Sequence, residues 1–286
     1  MSRSLVVLGC GDLGCRLAGL LPAWQVTGLC RNPARLPAPL RGPAVDYTLP
    51  GSLDGLAAMA PDYVLSTLKP LGRDAGAYRR GFVDATDHLL AGLGAHRPRL
   101  ILMVSSTRVY AERDGGWVDE DSALTGSDPC GMAIWWAEQR LLDSAQRAAV
   151  LRCGGIYGDP QGRLLARVGR GEICAPAPLR YGNRIHRDDV AGTLAHLLLR
   201  AEAGASLRPV YLGVDSEPAP QHSVESWLAQ RLGVVASAQS EPSAAHRRCC
   251  NDALIDSGYR LRYPDYRSGY NAVLAQRSAV VDEGSA

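Results

Sequence analysis

The sequence predicts an α/β protein built on a doubly wound parallel sheet, with a smaller lobe toward its C-terminus. Three observations support this. Apolar runs of strand length alternate with stretches of helical apolar spacing from residue 4 to about residue 152, the pattern of parallel strands joined by crossover helices. The first apolar run leads directly into a glycine turn, Gly9-Cys-Gly11-Asp-Leu-Gly14, that opens a helix. Beyond Gly158 the alternation becomes irregular, as expected of a lobe appended to a regular sheet.

In chain order, Ser4 to Leu8 reads as the first strand and Asp12 to Leu21 as a helix stopped by Pro22. Gln25 to Cys30 is a second strand, followed by a Pro-rich loop through Pro43, a short third strand around Val45 and a helix from Leu53 to Met59. Asp62 to Thr67 is the fourth strand, Arg79 to Leu93 an amphipathic helix, and Leu100 to Val104 the fifth strand. A polar loop with Gly115-Gly116 separates it from a helix over Pro129 to Arg147 and a sixth strand, Ala149 to Arg152. Later come helices over Asp188 to Leu199 and Val224 to Leu232, an extended Pro209 to Gly213, a tyrosine-rich tail and a frayed end at Val281 to Ala286. Residues 1–155 are expected to form the sheet domain, completed by 186–215, and 156–286 a substrate-binding lobe.

Between a buried strand and a helix, inside a β-α-β unit, Gly-x-Gly-x-x-Gly carries a mechanism and predicts the Rossmann fold. Gly9 permits the tight turn, Gly11 lets the backbone approach a pyrophosphate and Gly14 allows helix to pack on strand, while the helix N-terminus offers free N–H groups. Asp12 is a further candidate as the helix cap. At the end of the second strand, sites for NAD(H) place an acidic residue against the ribose 2′-hydroxyl. This chain reads Cys30-Arg-Asn-Pro-Ala-Arg35 instead, so Arg31, with Arg35 second, is expected to pair with a 2′-phosphate, favouring NADP(H) over NAD(H). The cofactor-binding set is Gly9, Gly11, Asp12, Leu13, Gly14, Arg31 and Arg35, with Asp46, Thr67, Leu68 and Ser105 farther along.

Composition argues against other classes. With 46% hydrophobic and 21% charged residues and a formal net charge of +2, the chain has no single-sign field to attract nucleic acid or an anionic membrane. No apolar stretch approaches the roughly 18 residues that span a bilayer, and the opening run is too brief for a secretory signal, so a cytoplasmic protein is expected. The eight cysteines include no Cys-x-x-Cys pair and keep no close spacing with the six histidines, which predicts reduced thiols and no structural zinc. A small-molecule substrate is the expected partner, with a homodimer left open.

Several later segments resemble the extended short-chain dehydrogenase/reductases, the group of nucleotide-sugar epimerases and dehydratases. Val104-Ser-Ser-Thr-Arg-Val-Tyr110, followed by Trp117-Val-Asp-Glu120, is similar to that family's fifth strand and its sequel. Leu151-Arg-Cys-Gly-Gly-Ile-Tyr-Gly158 resembles its sixth strand and Tyr-Gly turn, and Arg184-Ile-His-Arg-Asp-Asp-Val-Ala191 its Ile-His-x-x-Asp-Val-Ala segment. The resemblance spans most of residues 4–215, and the ending from Asn251 to Tyr270 looks like the tail of an atypical branch. It implies that Ser106 orients the substrate hydroxyl. It also implies a Tyr and a Lys on the helix before Glu138, and those positions hold Cys130 and Ile134. No shift of register restores them, because Lys69 is the only lysine and Leu65 stands four residues before it.

Tyr110, Tyr157 and His186 are the groups that could stand in for the missing acid/base, but each reads better as a structural residue, the tyrosines as packing residues with a wet hydroxyl and His186 as a hydrogen-bonded helix-entry residue. Trp135 and Trp136 read as core or interface residues, and Tyr181, Asn183 and Arg184 as substrate-side polar groups or plain loop residues. Two readings of function follow: an NADP-dependent oxidoreductase or epimerase/dehydratase-like enzyme on a sugar nucleotide or other hydroxyl or carbonyl compound, or a non-catalytic NADP(H)-sensing protein. A third, weaker one keeps the fold without any dinucleotide.

Overall fold

A computed structural model describes residues 3–240 and 246–283. The chain opens with β1 (Ser4–Leu8), α1 (Asp12–Leu20) and β2 (Gln25–Leu29). It continues with β3 (Tyr63–Ser66), α2 (Ala75–Tyr78), α3 (Ala85–Leu93), β4 (Leu100–Ser106), β5 (Asp114–Val118), α4 (Pro129–Leu142) and β6 (Ala148–Cys153). Then come β7 (Gly155–Tyr157), α5 (Arg163–Gly169), β8 (Glu172–Cys174), β9 (Tyr181–Gly182), β10 (Arg184–His186), α6 (Arg187–Glu202) and β11 (Val210–Gly213). The last elements are β12 (Ala219–Pro220), α7 (Gln221–Leu232), β13 (Ser237–Ser240), β14 (His246–Cys249), α8 (Asp252–Asp256) and α9 (Tyr266–Glu283). Among the described residues no helix is long and apolar enough to cross a membrane.

Two compact units emerge. The first takes the residues up to 111 with 124–152 and 190–211. Its core is a six-stranded parallel sheet in the order β11-β6-β4-β3-β1-β2. β1 pairs β2 on one side and β3 on the other, both in parallel register. The chain therefore reverses its direction of winding at β1, and the crevice such a reversal creates lies beyond the C-terminal end of that strand. The strands read as near-continuous apolar runs because helices cover both faces, and Leu5, Val64, Leu65, Ile101 and Leu102 are fully buried.

The second unit takes residues 112–123, 153–189 and those from 212 on. It has short two-stranded ribbons, β10 with β7, β12 with β9, β13 with β8 and β14 with β5. Its apolar core gathers Leu165, Val168, Val224 and Leu228 with Tyr266, Tyr270 and Val273 of α9.

Several local expectations are corrected. The strand around Val45 is replaced by two isolated parallel bridges, Thr27 with Arg41 and Cys30 with Ala44, because Pro37, Pro39 and Pro43 offer no N–H to a ladder. The helix over Leu53 to Met59 shrinks to a 3-10 turn at Ala57–Met59, where Gly51, Gly55 and Pro61 leave too few helix formers for a longer one. The helix read from Arg79 begins at Ala75, where Asp74 accepts the Ala77 N–H at 2.8 Å, and relaxes into a π-helical turn over Arg79–Asp84. α4 stops at Leu142 rather than Arg147, with the Ser144 hydroxyl donating to the Leu141 carbonyl at 2.6 Å. The Gly115-Gly116 loop is strand β5, and the tyrosine-rich tail contains the long helix α9, which runs through Glu283 into the segment expected to fray. Residues 284–286 lie outside the described residues.

The second unit holds a buried carboxyl in an unusual state. Asp215 is 1% exposed and neither of its oxygens meets a hydrogen-bond partner at normal geometry. Burial pushes its pKa to about 8, only partly offset by the nearby Arg184 charge. The folded chain thus keeps a proton that the unfolded chain releases near 4, so this group's contribution to stability falls as pH rises from about 4 to about 8 and is level above that. We expect Asp215→Asn to raise the denaturant midpoint at pH 8–9, leave it nearly unchanged at pH 4–5, and remove a slope of up to ~1.4 kcal/mol per pH unit between them.

Candidate cofactor site and the region of the missing catalytic pair

The glycine turn begins where β1 ends. Gly9 has φ +78°, and a Cβ there would stand 2.7 Å from the Thr67 carbonyl oxygen, so the position admits only glycine. The Gly9 and Cys10 N–H groups both donate to the Leu29 carbonyl, at 3.0 and 2.9 Å, which ties the turn to β2. Gly11 is the cap residue of α1, and a Cβ there would meet nothing nearer than the Gly9 carbonyl at 3.8 Å. The space above Gly11 is thus open to a ligand at the end of the helix that presents N–H groups. A Cβ on Gly14 would stand 2.8 Å from Val7 and 2.9 Å from the Cys10 sulfur, so this glycine sets the spacing of helix on strand.

Asp12 does not cap. A capping side chain must come from the residue before the first helical one, here Gly11, which has none. Asp12 instead is the first helical residue and pairs with Arg16 at 3.0 Å, one turn on.

Beside the turn lies a cleft of about 720 Å³ lined by Gly9, Gly11, Asp12, Arg31, Arg35 and Asp46, among others. Six residues of the expected cofactor set are thereby brought to one place. Leu13, Gly14, Thr67, Leu68 and Ser105 do not line it. Thr67 supports it from behind, its hydroxyl donating to the Gly9 carbonyl at 2.8 Å. Asp46 accepts both the N–H and the hydroxyl of Thr48, at 3.1 and 2.6 Å, and the hydroxyl bond holds its carboxyl below the usual range against the opposing effect of burial. Arg31 and Arg35 are exposed, and neither forms an ion pair with a described residue. Tyr47, Thr48 and Lys69, which belong to no sequence motif, also line the cleft. The only signal for Lys69 was its being the sole lysine.

The region of the family's usual catalytic pair is built differently. Cys130 opens α4, its N–H capped by Asp128 at 3.2 Å and its thiol facing the Arg73 carbonyl at 3.7 Å. Ile134 is 1% exposed and packs in the core. Ser106 ends β4 and its oxygen accepts the Arg108 N–H at 3.2 Å, which leaves its own hydrogen for another acceptor. Ser105 is committed to the interior, donating to Glu138. The fully buried Glu138 carboxylate also receives Arg152, at 2.8 Å to Nη2, and Arg152 in turn donates to the Tyr110 hydroxyl at 3.0 Å. Tyr110 is itself fully buried, which assigns it to packing and to this network. On α4, Trp135 is half-buried and Trp136 is exposed.

In the second unit, Tyr157 stacks on Tyr270 with ring centroids 4.4 Å apart, and burial pushes its phenol strongly up. His186 is buried and its Nδ1 accepts the Asp188 N–H at 3.2 Å, the bond of a residue that starts a helix. Asn183 stitches two backbone groups, donating to the Arg247 carbonyl and accepting the Cys249 N–H, at 3.0 and 2.8 Å. Arg184 donates to the Gly182 carbonyl at 2.9 Å, and the Tyr181 ring stacks on His246 with centroids 6.0 Å apart.

No protein-family profile matches the chain, and none of the curated proteins does. Among solved structures it is similar to a protein of Methylobacillus flagellatus, provisionally described as an NAD-dependent epimerase/dehydratase. The two are 32% identical over 96% of this chain and 99% of the other, with a TM-score of 0.82. A conserved protein of unknown function from Silicibacter pomeroyi is 27% identical, at 96% and 99% coverage and a TM-score of 0.76. A human epimerase family protein solved with NADPH shares the fold at 20% identity, with 93% and 97% coverage and a TM-score of 0.72.

The buried ion pair supplies a test of what holds α4 to the sheet. Glu138→Gln leaves the Arg152 guanidinium buried without its counter-charge and should cost about 3–5 kcal/mol in chemical denaturation. The double change Glu138→Leu with Arg152→Met should cost less than the single one, since it removes both charges together.

Proposed function

Since the chain belongs to the extended short-chain dehydrogenase/reductase superfamily, among its NAD-dependent epimerase/dehydratase-like proteins, we propose that it binds NADP(H) at the Gly9–Gly14 turn and acts on a hydroxyl or carbonyl compound. A sugar nucleotide is among the candidate substrates. The observation that carries this reading is the open cradle above Gly11, facing a cleft in whose wall Arg31 and Arg35 stand exposed and form no direct ion pair with a described residue.

The residues present fit a phosphorylated dinucleotide. Gly9 and Gly11 leave room for a pyrophosphate against the start of α1, and Arg31, just beyond β2, offers the planar fork that matches a 2′-phosphate. Arg35 follows one turn later. When bound, the nicotinamide supplies hydride chemistry. Toward the substrate, Ser106 is the hydroxyl this chain retains, positioned by the Arg108 N–H and able to donate its hydrogen to a substrate oxygen.

Fluorescence titration should show NADPH binding more tightly than NADH, and Arg31→Ala should weaken NADPH by roughly ten- to a hundredfold, the worth of a charge-assisted bond, while leaving NADH nearly unchanged. Equal or tighter binding of NADH would remove the NADP preference. Turnover on an accepted substrate should fall at least tenfold in Ser106→Ala.

Cys130 and Ile134 favour a second reading, in which the protein binds NADP(H) without transferring hydride and reports cofactor state to a partner. A panel of hydroxyl and carbonyl compounds separates the two readings: turnover at ordinary enzymatic rates supports the enzyme, and tight NADPH binding with none supports the sensor.

A further inference from the structure

We infer that Lys69, the only lysine of the chain, is a clamp for the cofactor's pyrophosphate, taking over from the phosphate end part of the anchoring that the absent helix lysine would give at the nicotinamide ribose. This rests on the dinucleotide reading of the cleft and extends it to a residue outside the glycine turn and outside the arginines that follow β2.

Placement is the first argument. Lys69 lines the same cleft as Gly9 and Gly11 and is exposed there. It stands two residues beyond Thr67, whose N–H donates to the Leu8 carbonyl at 2.9 Å and whose hydroxyl reaches the Gly9 carbonyl at 2.8 Å. Its own backbone N–H faces the Tyr47 hydroxyl, and the Tyr47 ring in turn would be 3.3 Å from a Cβ on Gly9. The backbone that carries the amine is thus fixed against the glycine turn from two sides. Arg31 and Arg35 enter the cleft from the segment that follows β2 instead, so the cations approach a ligand from different elements.

Charge is the second. The acids in the cleft wall are already engaged, Asp12 by Arg16 at 3.0 Å and Asp46 by the Thr48 hydroxyl and the nearby Arg31 charge, whereas Lys69 forms no ion pair with a described residue. An ammonium left without a carboxylate beside an open helix N-terminus is suited to a compact dianion, and as a point charge it does not need the planar geometry an arginine would use.

Full-length protein and its Lys69→Met, Lys69→Arg and Arg31→Ala variants would be titrated with NADPH, ADP-ribose and 2′-AMP. Lys69→Met should weaken NADPH and ADP-ribose by roughly tenfold, leave 2′-AMP unchanged and leave thermal unfolding unchanged, with Lys69→Arg recovering most of the loss. Arg31→Ala should weaken NADPH and 2′-AMP and spare ADP-ribose. Lys69→Met losing 2′-AMP as strongly as ADP-ribose, or losing neither, overturns the inference.

A second readout does not need the dinucleotide. Pyridoxal 5′-phosphate forms an imine with the amine by loss of water, borohydride reduces it to a secondary amine, and peptide mapping reads the label at Lys69. Inorganic pyrophosphate should protect Lys69 at least fivefold. If the protein binds no NADPH yet pyrophosphate protects Lys69, the dinucleotide reading fails and the clamp stands. If NADPH binds but pyrophosphate gives no protection, the clamp fails alone.

Discussion

The cofactor half of this protein depends on how closely α1 and β2 pack around one thiol. A Cβ on Gly14 of α1 would stand 2.9 Å from the Cys10 sulfur, and one on Gly28 of β2 would stand 2.8 Å from it. Cys10 therefore fills two glycine notches at once, one on the helix and one on the strand. Burial pushes its thiol to about 12, so it stays protonated and acts as a small apolar wedge. The loop beyond β2 is drawn in by the same kind of contact, since a Cβ on Gly42 would meet the Gly28 carbonyl at 1.9 Å. That loop carries the chain back to Val45 and Asp46, which form the far wall of the cleft. The glycines thus serve ligand binding indirectly as well: they bring three segments close enough for a cleft to exist between them.

The other end of the sheet is held by charge. Glu138 and Arg152 are both buried, and a pair so deep costs more to desolvate than a surface pair returns. It is retained with its hydrogen-bonding capacity well used, Glu138 meeting Ser105 and three contacts from Arg152, and Arg152 also meeting Tyr110. The network joins β4, α4, β6 and the turn after β4. It ties α4 to the sheet through polar contacts, beside the apolar packing of Ile134. Just before the same helix, Asp128 both caps the Cys130 N–H and pairs with Arg108 at 2.6 Å, so the N-terminus of α4 is held from outside as well.

Much of this was legible in the residues. The sheet strands at Leu5, Val64 and Ile101 announced themselves as apolar runs, and the glycine turn sat where a strand meets a helix. The family signatures around Ser106 and Tyr157 gave the order of the later strands. What escaped was decided by tertiary partners. Gly115-Gly116 has no strand propensity, and β5 exists because β14, some 130 residues on, offers a parallel edge at Arg248 and Cys249. Tyr47 and Lys69 belong to no motif, and they reach the cleft because Thr67 is bonded to the Gly9 turn. Ser105 was expected at the cofactor, and its place in the interior could not be read from pattern alone. Alternation in a strand sends Ser105 and Ser106 to opposite faces, and the ion pair in the core claims the first.

That separation explains how one fold can keep its cofactor half and lose its usual catalytic pair. Any side chain at Gly9 would strike the Thr67 carbonyl, so packing alone requires glycine there. Positions 130 and 134 are filled by a buried thiol and a buried isoleucine, while Asp128 and Glu138 hold the helix through polar contacts. Persistence of the dinucleotide cradle is thus enforced by packing, whereas persistence of a tuned phenol and ammonium would have to be enforced by chemistry. A chain can therefore keep the glycine turn of its superfamily while departing from it on α4, and what it does has to be argued from particular residues rather than from the fold.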